Sequence, residues 1–337
     1  MRIRLVGHSG EPVMNVGTDG PWREFVRELE INGCEIVKSD YGSSVDALIA
    51  NCHSKDAINE CKKNNVPKNK MFLILWEPKS VDYRRHSRRV LDNYGTIWSP
   101  SLEWAPNSNT RYFNWPQLKL NEQNETINIW GKRENKASMV LANKFSATKG
   151  ELYSLRRETA LVTCEKESMD LYGDKWNLSK AYDYRHYIGS LLRTPLNLLS
   201  PRSSTNLGKI HKNFKGHSAN KTQTTRKYRI IVVLENSLDY ISEKLFDAFD
   251  AGAIVIYVGP DISSYKIPVK SAIEVKANAE EINRRIMEIQ SLPIKKQFEI
   301  MKEQQKNILS ISESWHCNHV LKKLAADICK ELKVQSN

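Results

Sequence analysis

Residues 228–260 restrict the fold more than any other part of the chain. They read YRIIVVLENSLDYISEKLFDAFDAGAIVIYVGP, two continuous apolar runs on either side of an amphipathic stretch. Continuous apolar strands that alternate with helices are typical of a parallel sheet with helices on both faces. We therefore predict a βαβ unit here, with strands at 228–236 and 253–260 and a helix at 239–252.

The same alternation of strands and helices extends towards the N-terminus. Further strands are predicted at 1–6, 34–37, 47–49, 71–78, 138–145 and 169–173, and further helices at 21–33, 55–64 and 150–162. A polar connector at 115–135 separates two α/β sets, and a length of 337 residues suits two domains. We predict a doubly wound α/β protein with domains at 1–130 and 131–310 and a helical segment at 311–337. Ligands of such folds bind at the carboxyl ends of the strands and in the cleft between the halves.

The charge of the chain favours an anionic partner. Lysine and arginine number 51 against 39 aspartate and glutamate, which gives a net charge of +12. Nucleic acid, an acidic membrane surface and a phosphate-bearing small molecule all fit that excess. No acid occurs from His186 to Leu234, where the chain carries Arg193, Arg202, Lys209, Lys212, Lys215, Lys221, Arg226, Lys227 and Arg229. This run is either a solvated basic loop or the charged rim of an anion site.

Cysteine usage and hydropathy indicate a soluble cytoplasmic protein. The six cysteines form no CxxC pair and have no regular spacing, which favours reduced, mostly buried thiols over a zinc site or disulfides. No apolar stretch approaches 18 residues, and the apolar part of the N-terminal MRIRLVGHSG is too short for a signal peptide.

Polar side chains are crowded at the start of the predicted helix, in LENSLDYISEK at 234–244. On a helical wheel Tyr240, Glu243 and Lys244 share one face, and the apolar residues that would pack on the sheet share another. Free N–H groups of a helix N-terminus suit phosphate, and Lys244 adds a full positive charge. Glu243 can accept hydrogen bonds from a ribose diol, and Tyr240 can stack on a base. The pattern predicts a nucleotide diphosphate site without a P-loop; the alternative is a capping cluster with an exposed Glu–Lys surface.

The segment LENSLDYISEKLFDAFDAGAIVIYVGP resembles the signature of the α1,3-fucosyltransferases, glycosyltransferase family 10. That signature runs roughly F-E-N-S, a short spacer, D-Y-[IV]-[ST]-E-K, an A-x-x-x-G helix and a strand ending in G-[PS]. ANKFSATKGELYSLRRETA with DLYG, and LILWEP, resemble two further family segments in the right order. The resemblance implies two Rossmann-like domains facing a cleft, the GT-B type. Residues 1–130 would bind the acceptor and 131–310 the nucleotide-sugar donor.

The resemblance also implies roles for individual residues. Asn236, Tyr240, Glu243 and Lys244 fall at donor-binding positions, where the family's Glu contacts ribose and its Lys contacts the diphosphate. Glu77 of LILWEP matches the family's proposed general base. A carboxylate at a strand end in the cleft could have the raised pKa that such a base needs. The alternative for Glu77 is an ordinary strand-end turn before Pro78.

One family residue, an Arg at the start of the donor-domain helix that binds the diphosphate, has no clear counterpart. Its register falls near Lys149–Glu151, so Lys149, Arg156 and Arg157 are the candidates; a solvated helix face is an equally good interpretation of these three positions. The resemblance implies no obligatory metal and no cofactor besides the donor substrate. No D-x-D triplet occurs, and D247AFD250 lies within the predicted helix.

The sequence thus predicts an inverting glycosyltransferase of the bacterial type that transfers L-fucose from GDP-fucose to a hydroxyl of a glycan or lipid-linked saccharide. Peripheral contact with an anionic membrane surface is left open. One alternative keeps the fold and uses another nucleotide sugar, or an unusual acceptor such as nucleic acid. The other is a non-enzymatic nucleic-acid-binding protein, which is disfavoured because only Tyr187, Phe214 and Tyr228 interleave the basic run.

Overall fold

The structure, a computed structural model, describes residues 1–8, 10–12, 22–105, 109–122, 124–144, 146, 148–174, 176 and 212–334. The chain divides into two compact units, Met1–Lys119 with Glu313–Asn337, and Leu120–Ser312. Outside the described residues lie Pro21, Tyr187, Arg193, Arg202 and Lys209. No helix in the described part of the chain combines the length and hydropathy needed to cross a bilayer.

The N-terminal unit is built on a sheet of parallel strands. In chain order these are β1 (Arg2–Val6), β2 (Glu35–Ile36), β3 (Ala47–Ala50), β4 (Met71–Ile74), β5 (Thr96–Ser99) and β6 (Asn109–Tyr112), and their spatial order is β2-β1-β3-β4-β5-β6. The helices between them are α1 (Trp22–Ile31), α2 (Lys55–Lys63) and α3 (Arg88–Leu91). All residues of β3, β4 and β5 are buried, as continuous apolar strands in a two-sided sheet should be.

A buried ion pair fixes α2 against this sheet. Arg4 of β1 donates from Nε and from Nη2 to the two carboxylate oxygens of Glu60 in α2, both at 2.7 Å, and neither side chain reaches solvent. Arg4 also donates to the backbone carbonyls of Val37 and Ser39. A buried charge is tolerated only when it is paired and hydrogen-bonded, and this pair meets both conditions.

The C-terminal unit contains a second parallel sheet. Its strands are β7 (Glu134–Val140), β8 (Met169–Tyr172), β9 (Tyr228–Leu234), β10 (Ile254–Val258) and β11 (Ile273–Glu274), in the spatial order β11-β10-β9-β7-β8. The helices of this unit are α4 (Ile127–Trp130), α5 (Tyr153–Glu165), α6 (Lys221–Thr225), α7 (Glu243–Asp250), α8 (Ala279–Ser291) and α9 (Ile294–Leu309). The βαβ unit β9–α7–β10 pairs in parallel over the full length of β10.

The last helices, α10 (Ser312–Trp315) and α11 (Cys317–Val334), return to the N-terminal unit. Helix α11 packs on α1, and its apolar side chains belong to the same core as Phe25 and Leu29 of α1. The compact units therefore change at 119/120 and 312/313, compared with the predicted boundaries at 130 and 310. The predicted fold of two parallel-sheet α/β domains with C-terminal helices is confirmed.

Candidate active site

The chain that leaves β9 is held by the loop that precedes α5. The amide of Leu152 donates to the carbonyl of Asn236 at 3.1 Å, and the amide of Leu238 donates to the carbonyl of Gly150 at 3.2 Å. Glu151 and Ser237 form an antiparallel bridge between these bonds. The polar segment after β9 is thus fixed by backbone pairing before α7 begins.

Arg156 of α5 reaches the same strand end from the interior. Its Nη2 donates to the carbonyls of Leu234 and Glu235 and to Oδ1 of Asn236, at 3.0, 2.9 and 2.9 Å. The guanidinium lies over the ring of Tyr153, with Cζ 4.5 Å from the centroid. The side chain is buried, burial lowers its pKa, and its Nε has no hydrogen-bond partner among the described residues. Arg156 therefore orients Asn236 and retains a buried N–H donor.

The prediction that Tyr240 lies on the polar face of the helix is wrong. Helix α7 begins at Glu243 with Ser242 as its N-cap, so Tyr240 lies before the helix, and its side chain is buried at 1% exposure. Its hydroxyl accepts a hydrogen bond of 2.6 Å from Nδ2 of Asn236. Because a buried ring offers no face for a base, Tyr240 acts here by orienting the Asn236 amide. A serine directly before the amphipathic run is a favoured N-cap and could have revealed the true helix start.

Glu235, to which the sequence assigned no role, organises the start of α7. Its carboxylate is completely buried and accepts hydrogen bonds from the backbone N–H and the hydroxyl of Ser242, at 3.0 and 2.6 Å. The Lys244 ammonium lies 3.6 Å from this carboxylate and donates to the Ser242 hydroxyl at 2.9 Å. Burial raises the pKa of Glu235, and Lys244 opposes that rise. A Cβ at Gly259 would lie 2.2 Å from the Tyr257 hydroxyl and 2.9 Å from Cγ of Glu235, so the glycine leaves room for both side chains.

Glu243 and Lys244 are the first two residues of α7, with their charged groups 3.6 Å apart. The Glu243 side chain is 47% exposed, whereas that of Lys244 is 12% exposed. Burial opposes ionisation of Glu243, but Lys244 and Lys221 outweigh it and hold the pKa of Glu243 below its usual value. The first turn of α7 thus carries a charged carboxylate and a partly buried ammonium at the positive end of the helix dipole.

Of the three candidates for the missing arginine, only Arg156 contacts the end of β9 in the described structure. Arg157 is buried and donates to the carbonyl of Lys144 at 2.6 Å and to the hydroxyl of Ser154 at 3.4 Å. Lys149 has an exposed side chain in the loop before α5. The structure brings together Asn236, Glu243, Lys244 and Arg156, which we call the α7 cluster, and the buried Glu235 and Tyr240 hold Lys244 and Asn236 by direct contact.

In the N-terminal unit Glu77 follows β4 and lines a pocket of about 260 Å³. Three indole rings share the pocket: Trp76 meets Trp22 and Trp115 edge to face, with ring centroids 5.0 and 5.4 Å apart. The indole N–H of Trp76 donates to Oδ1 of the buried Asn51 at 3.0 Å. Aromatic faces can pack on the C–H groups of a sugar ring, and a carboxylate can accept from its hydroxyls.

The chemistry that these residues offer is acid–base and electrostatic. Among the residues that the structure describes, no three His, Cys, Asp or Glu side chains are grouped so that they could hold a metal ion. Asp247 of α7 is paired with Lys221 at 2.7 Å, and Asp250 lies 3.6 Å from Arg226. Transfer without an obligatory metal stays a prediction.

Comparison with known protein families bears directly on the α7 cluster. Residues 203–336 match the model described as glycosyltransferase family 10 (fucosyltransferase), C-terminal part. The matched segment contains Asn236, Glu243 and Lys244, and the predicted resemblance to this family is confirmed. A comparison with curated protein sequences gave no match.

Solved structures resemble this chain in fold at low sequence identity. Anabaena Alr3699/HepE, solved in complex with UDP and glucose, has a TM-score of 0.57 and 11% identity, covering 98% of this chain and 100% of that chain. A glycosyltransferase from Rickettsia africae ESF-5 has a TM-score of 0.53 and 12% identity, covering 98% of each chain. The fold is of the GT-B type, and the chain is a glycosyltransferase whose C-terminal part, residues 203–336, matches the family 10 model.

Proposed function

We propose that this glycosyltransferase transfers L-fucose, with inversion, from GDP-fucose to a hydroxyl of a glycan or lipid-linked saccharide. The observation that supports this most strongly is the coincidence of two findings at α7. The family 10 match covers this segment, and Asn236, Glu243, Lys244 and Arg156 are gathered there around one helix N-terminus.

The α7 cluster suits the diphosphate and ribose of a nucleotide donor. The helix N-terminus and Lys244 supply positive charge for the diphosphate, and the buried Arg156 orients the Asn236 side chain. Glu243 is ionised and half exposed, so it can accept hydrogen bonds from both hydroxyls of a ribose. The same positive charge would stabilise the GDP that leaves when the anomeric bond breaks.

The acceptor side of the reaction requires a base, for which Glu77 is our candidate. Its carboxylate would take the proton of the acceptor hydroxyl while that oxygen forms the new bond to the anomeric carbon. The bond from that carbon to the diphosphate breaks at the same time, and the configuration inverts. The three-tryptophan pocket that contains Glu77 supplies flat surfaces for the acceptor sugar.

A UDP-sugar is the second candidate donor, because Anabaena Alr3699/HepE, which shares the fold, was solved with UDP-glucose. Thermal unfolding of the purified protein with GDP, GDP-fucose, UDP and UDP-glucose separates the two. A ligand at 100 times its Kd stabilises the folded state by about 2.7 kcal/mol. Stabilisation by GDP and GDP-fucose alone is the expected result; stabilisation by the uridine nucleotides alone would make the fucose proposal wrong.

Two variants test separately the role of Glu77 as the base and that of Lys244 in donor binding. Glu77→Gln should lower the turnover rate by about 10²- to 10⁴-fold while GDP-fucose still raises the Tm, since a general base acts on the acceptor. Lys244→Ala should weaken GDP-fucose binding. Near-normal turnover of Glu77→Gln would remove Glu77 as the base.

A further inference from the structure

A run of cations begins two residues after Glu77. Residues 79–89 read KSVDYRRHSRR, and we call Lys79, Arg84, Arg85, Arg88 and Arg89 the cationic segment. Its single acid, Asp82, is paired with Arg85 at 2.8 Å. Lys79, Arg84, Arg88 and Arg89 are exposed, and none of them takes part in an ion pair found among the described residues. Unpaired arginines held this densely repel one another, and an anionic partner would relieve that repulsion.

The cationic segment is attached to the rim of the three-tryptophan pocket. The His86 side chain donates from Nε2 to the backbone carbonyl of Glu77 at 2.7 Å. Arg85 donates from Nη2 to the carbonyl of His8 at 3.4 Å, and both His8 and Glu77 line the pocket. In addition, Nη1 of Arg85 is buried and has no hydrogen-bond partner among the described residues. The cationic segment is therefore fixed to two residues that line the three-tryptophan pocket.

A further cation, Lys55, follows the end of β3. Asn51, which lines the pocket, directly follows β3, and Lys55 opens α2 four residues later. Burial lowers the pKa of His53 between them, and the nearby Lys55 and Arg89 lower it further. The acids in or close to this region are Glu11, Asp56, Glu77 and Asp82, against six cations, Lys55 and the five of the cationic segment, so the cations outnumber the acids.

We propose that the acceptor is an acidic saccharide, one that carries a carboxylate, sulfate or phosphate next to the sugar ring that enters the pocket. This inference rests on the proposed function, in which the pocket holds the acceptor. The indoles would hold the ring, and the cationic segment would bind the acidic group through charge-assisted hydrogen bonds, for which arginine is well suited. A membrane surface is the competing partner, because Val81 and Tyr83 of the same segment are exposed.

The test compares the full-length protein with two triple variants that lose equal charge. Arg84→Gln/Arg88→Gln/Arg89→Gln removes exposed cations of the segment. Its matched control, Lys62→Gln/Lys63→Gln/Lys68→Gln, removes exposed lysines elsewhere in the same unit. Isothermal titration with a galacturonic acid trisaccharide and with a neutral galactose trisaccharide measures the preference for acid, and titration with phosphatidylglycerol vesicles measures membrane binding.

The wild type and the lysine control should bind the acidic trisaccharide at least about tenfold more tightly than the neutral one, and the arginine variant should lose that preference. Equal binding of the two trisaccharides by the wild type would overturn the proposal. Vesicle binding that the arginine variant loses, without an acidic preference, would assign the segment to a membrane instead. GDP-fucose should raise the Tm of all three proteins; its failure to do so in the wild type would count against the donor, not against the acidic acceptor.

Discussion

Replacement of Lys244 by methionine should destabilise the C-terminal unit in a pH-dependent way, because it leaves the Glu235 carboxylate without its counter-charge. Glu235 is completely buried, and its hydrogen bonds to Ser242 satisfy the carboxylate but do not neutralise it. Methionine keeps most of the aliphatic length of lysine, so the change removes mainly the charge.

The magnitude follows from two limits. A separation of 3.6 Å at an effective dielectric constant of about 20 corresponds to an attraction of about 4 to 5 kcal/mol. In the variant the Glu235 carboxylate can instead be neutralised by protonation. For a group with the ordinary pKa of 4.5, protonation costs a free energy of at most about 3.4 kcal/mol at pH 7 and about 0.7 kcal/mol at pH 5, which sets the second limit. Since burial already raises the pKa of Glu235 in the wild type, we expect a loss of about 2 to 3 kcal/mol at pH 7.

Thermal unfolding without ligand at pH 7 and pH 5 measures this effect. At pH 7 the Tm of Lys244→Met should fall by about 5 to 10 °C. The loss should be small at pH 5, because a group with a raised folded-state pKa contributes stability at low pH and loses it as the pH rises. Glu235→Gln/Lys244→Met should recover most of the loss. Lys221→Met is the matched control: its pair with Asp247 is about one-third exposed on both sides, so it should cost less than about 1 kcal/mol. Equal losses at both pH values, or no recovery in the double variant, would refute the reasoning.

Two further predictions concern the N-terminal unit. Arg4→Met should lower its unfolding free energy by about 3 to 5 kcal/mol, because the buried Glu60 carboxylate then loses its counter-charge and keeps only hydrogen bonds from the backbone N–H groups of Gly42 and Ser43; urea unfolding checks this, and a loss under about 1 kcal/mol would contradict it. The Cys34 thiol has its pKa lowered to about 7 by a hydrogen bond with the Cys329 thiol, 3.8 Å away, and by the N-terminal ammonium, against the opposing effect of burial. Alkylation of Cys34 by iodoacetamide, followed by mass spectrometry, should therefore reach half its maximal rate near pH 7, whereas Cys61, whose pKa burial raises to about 12, should stay unlabelled over the same range.

The fold was predictable because its strands carry a strong local signal. β3, β4 and β10 are continuous apolar runs, and β9 is one except for Arg229, which is the one residue of the four strands that is not buried. Only a sheet covered on both faces buries such runs, so the parallel topology follows from the pattern. The return of α11 to the N-terminal unit was not predictable, because the amphipathic pattern of a helix indicates an apolar face but not which distant surface covers it.

The sequence allowed most residues of the candidate site to be predicted, but not their arrangement in space. A helical wheel assumes that the helix continues through every residue placed on it, and for Tyr240 that assumption fails because α7 begins at Glu243. The helix starts late because Ser242 caps it, and Ser242 is fixed by Glu235, a residue seven positions earlier. Arg156 was one of three equivalent candidates in sequence; only its long-range contact with Asn236 distinguishes it.

These contacts divide the polar residues of the 234–244 segment into two groups with different physical roles. Glu235 and Tyr240 are buried and satisfied by neighbours, so a ligand cannot reach them, yet they determine where Lys244 and Asn236 lie. Glu243 is half exposed, so a ligand can contact its charged carboxylate. A buried carboxylate lowers the stability of the fold unless its partners are in place. Any substitution that moves Ser242 or Lys244 should therefore also lower the free energy of unfolding through the buried Glu235 carboxylate. Loss of donor binding in variants of this segment, Lys244→Ala included, is therefore evidence of ligand contact only when binding is measured well below the Tm of the variant.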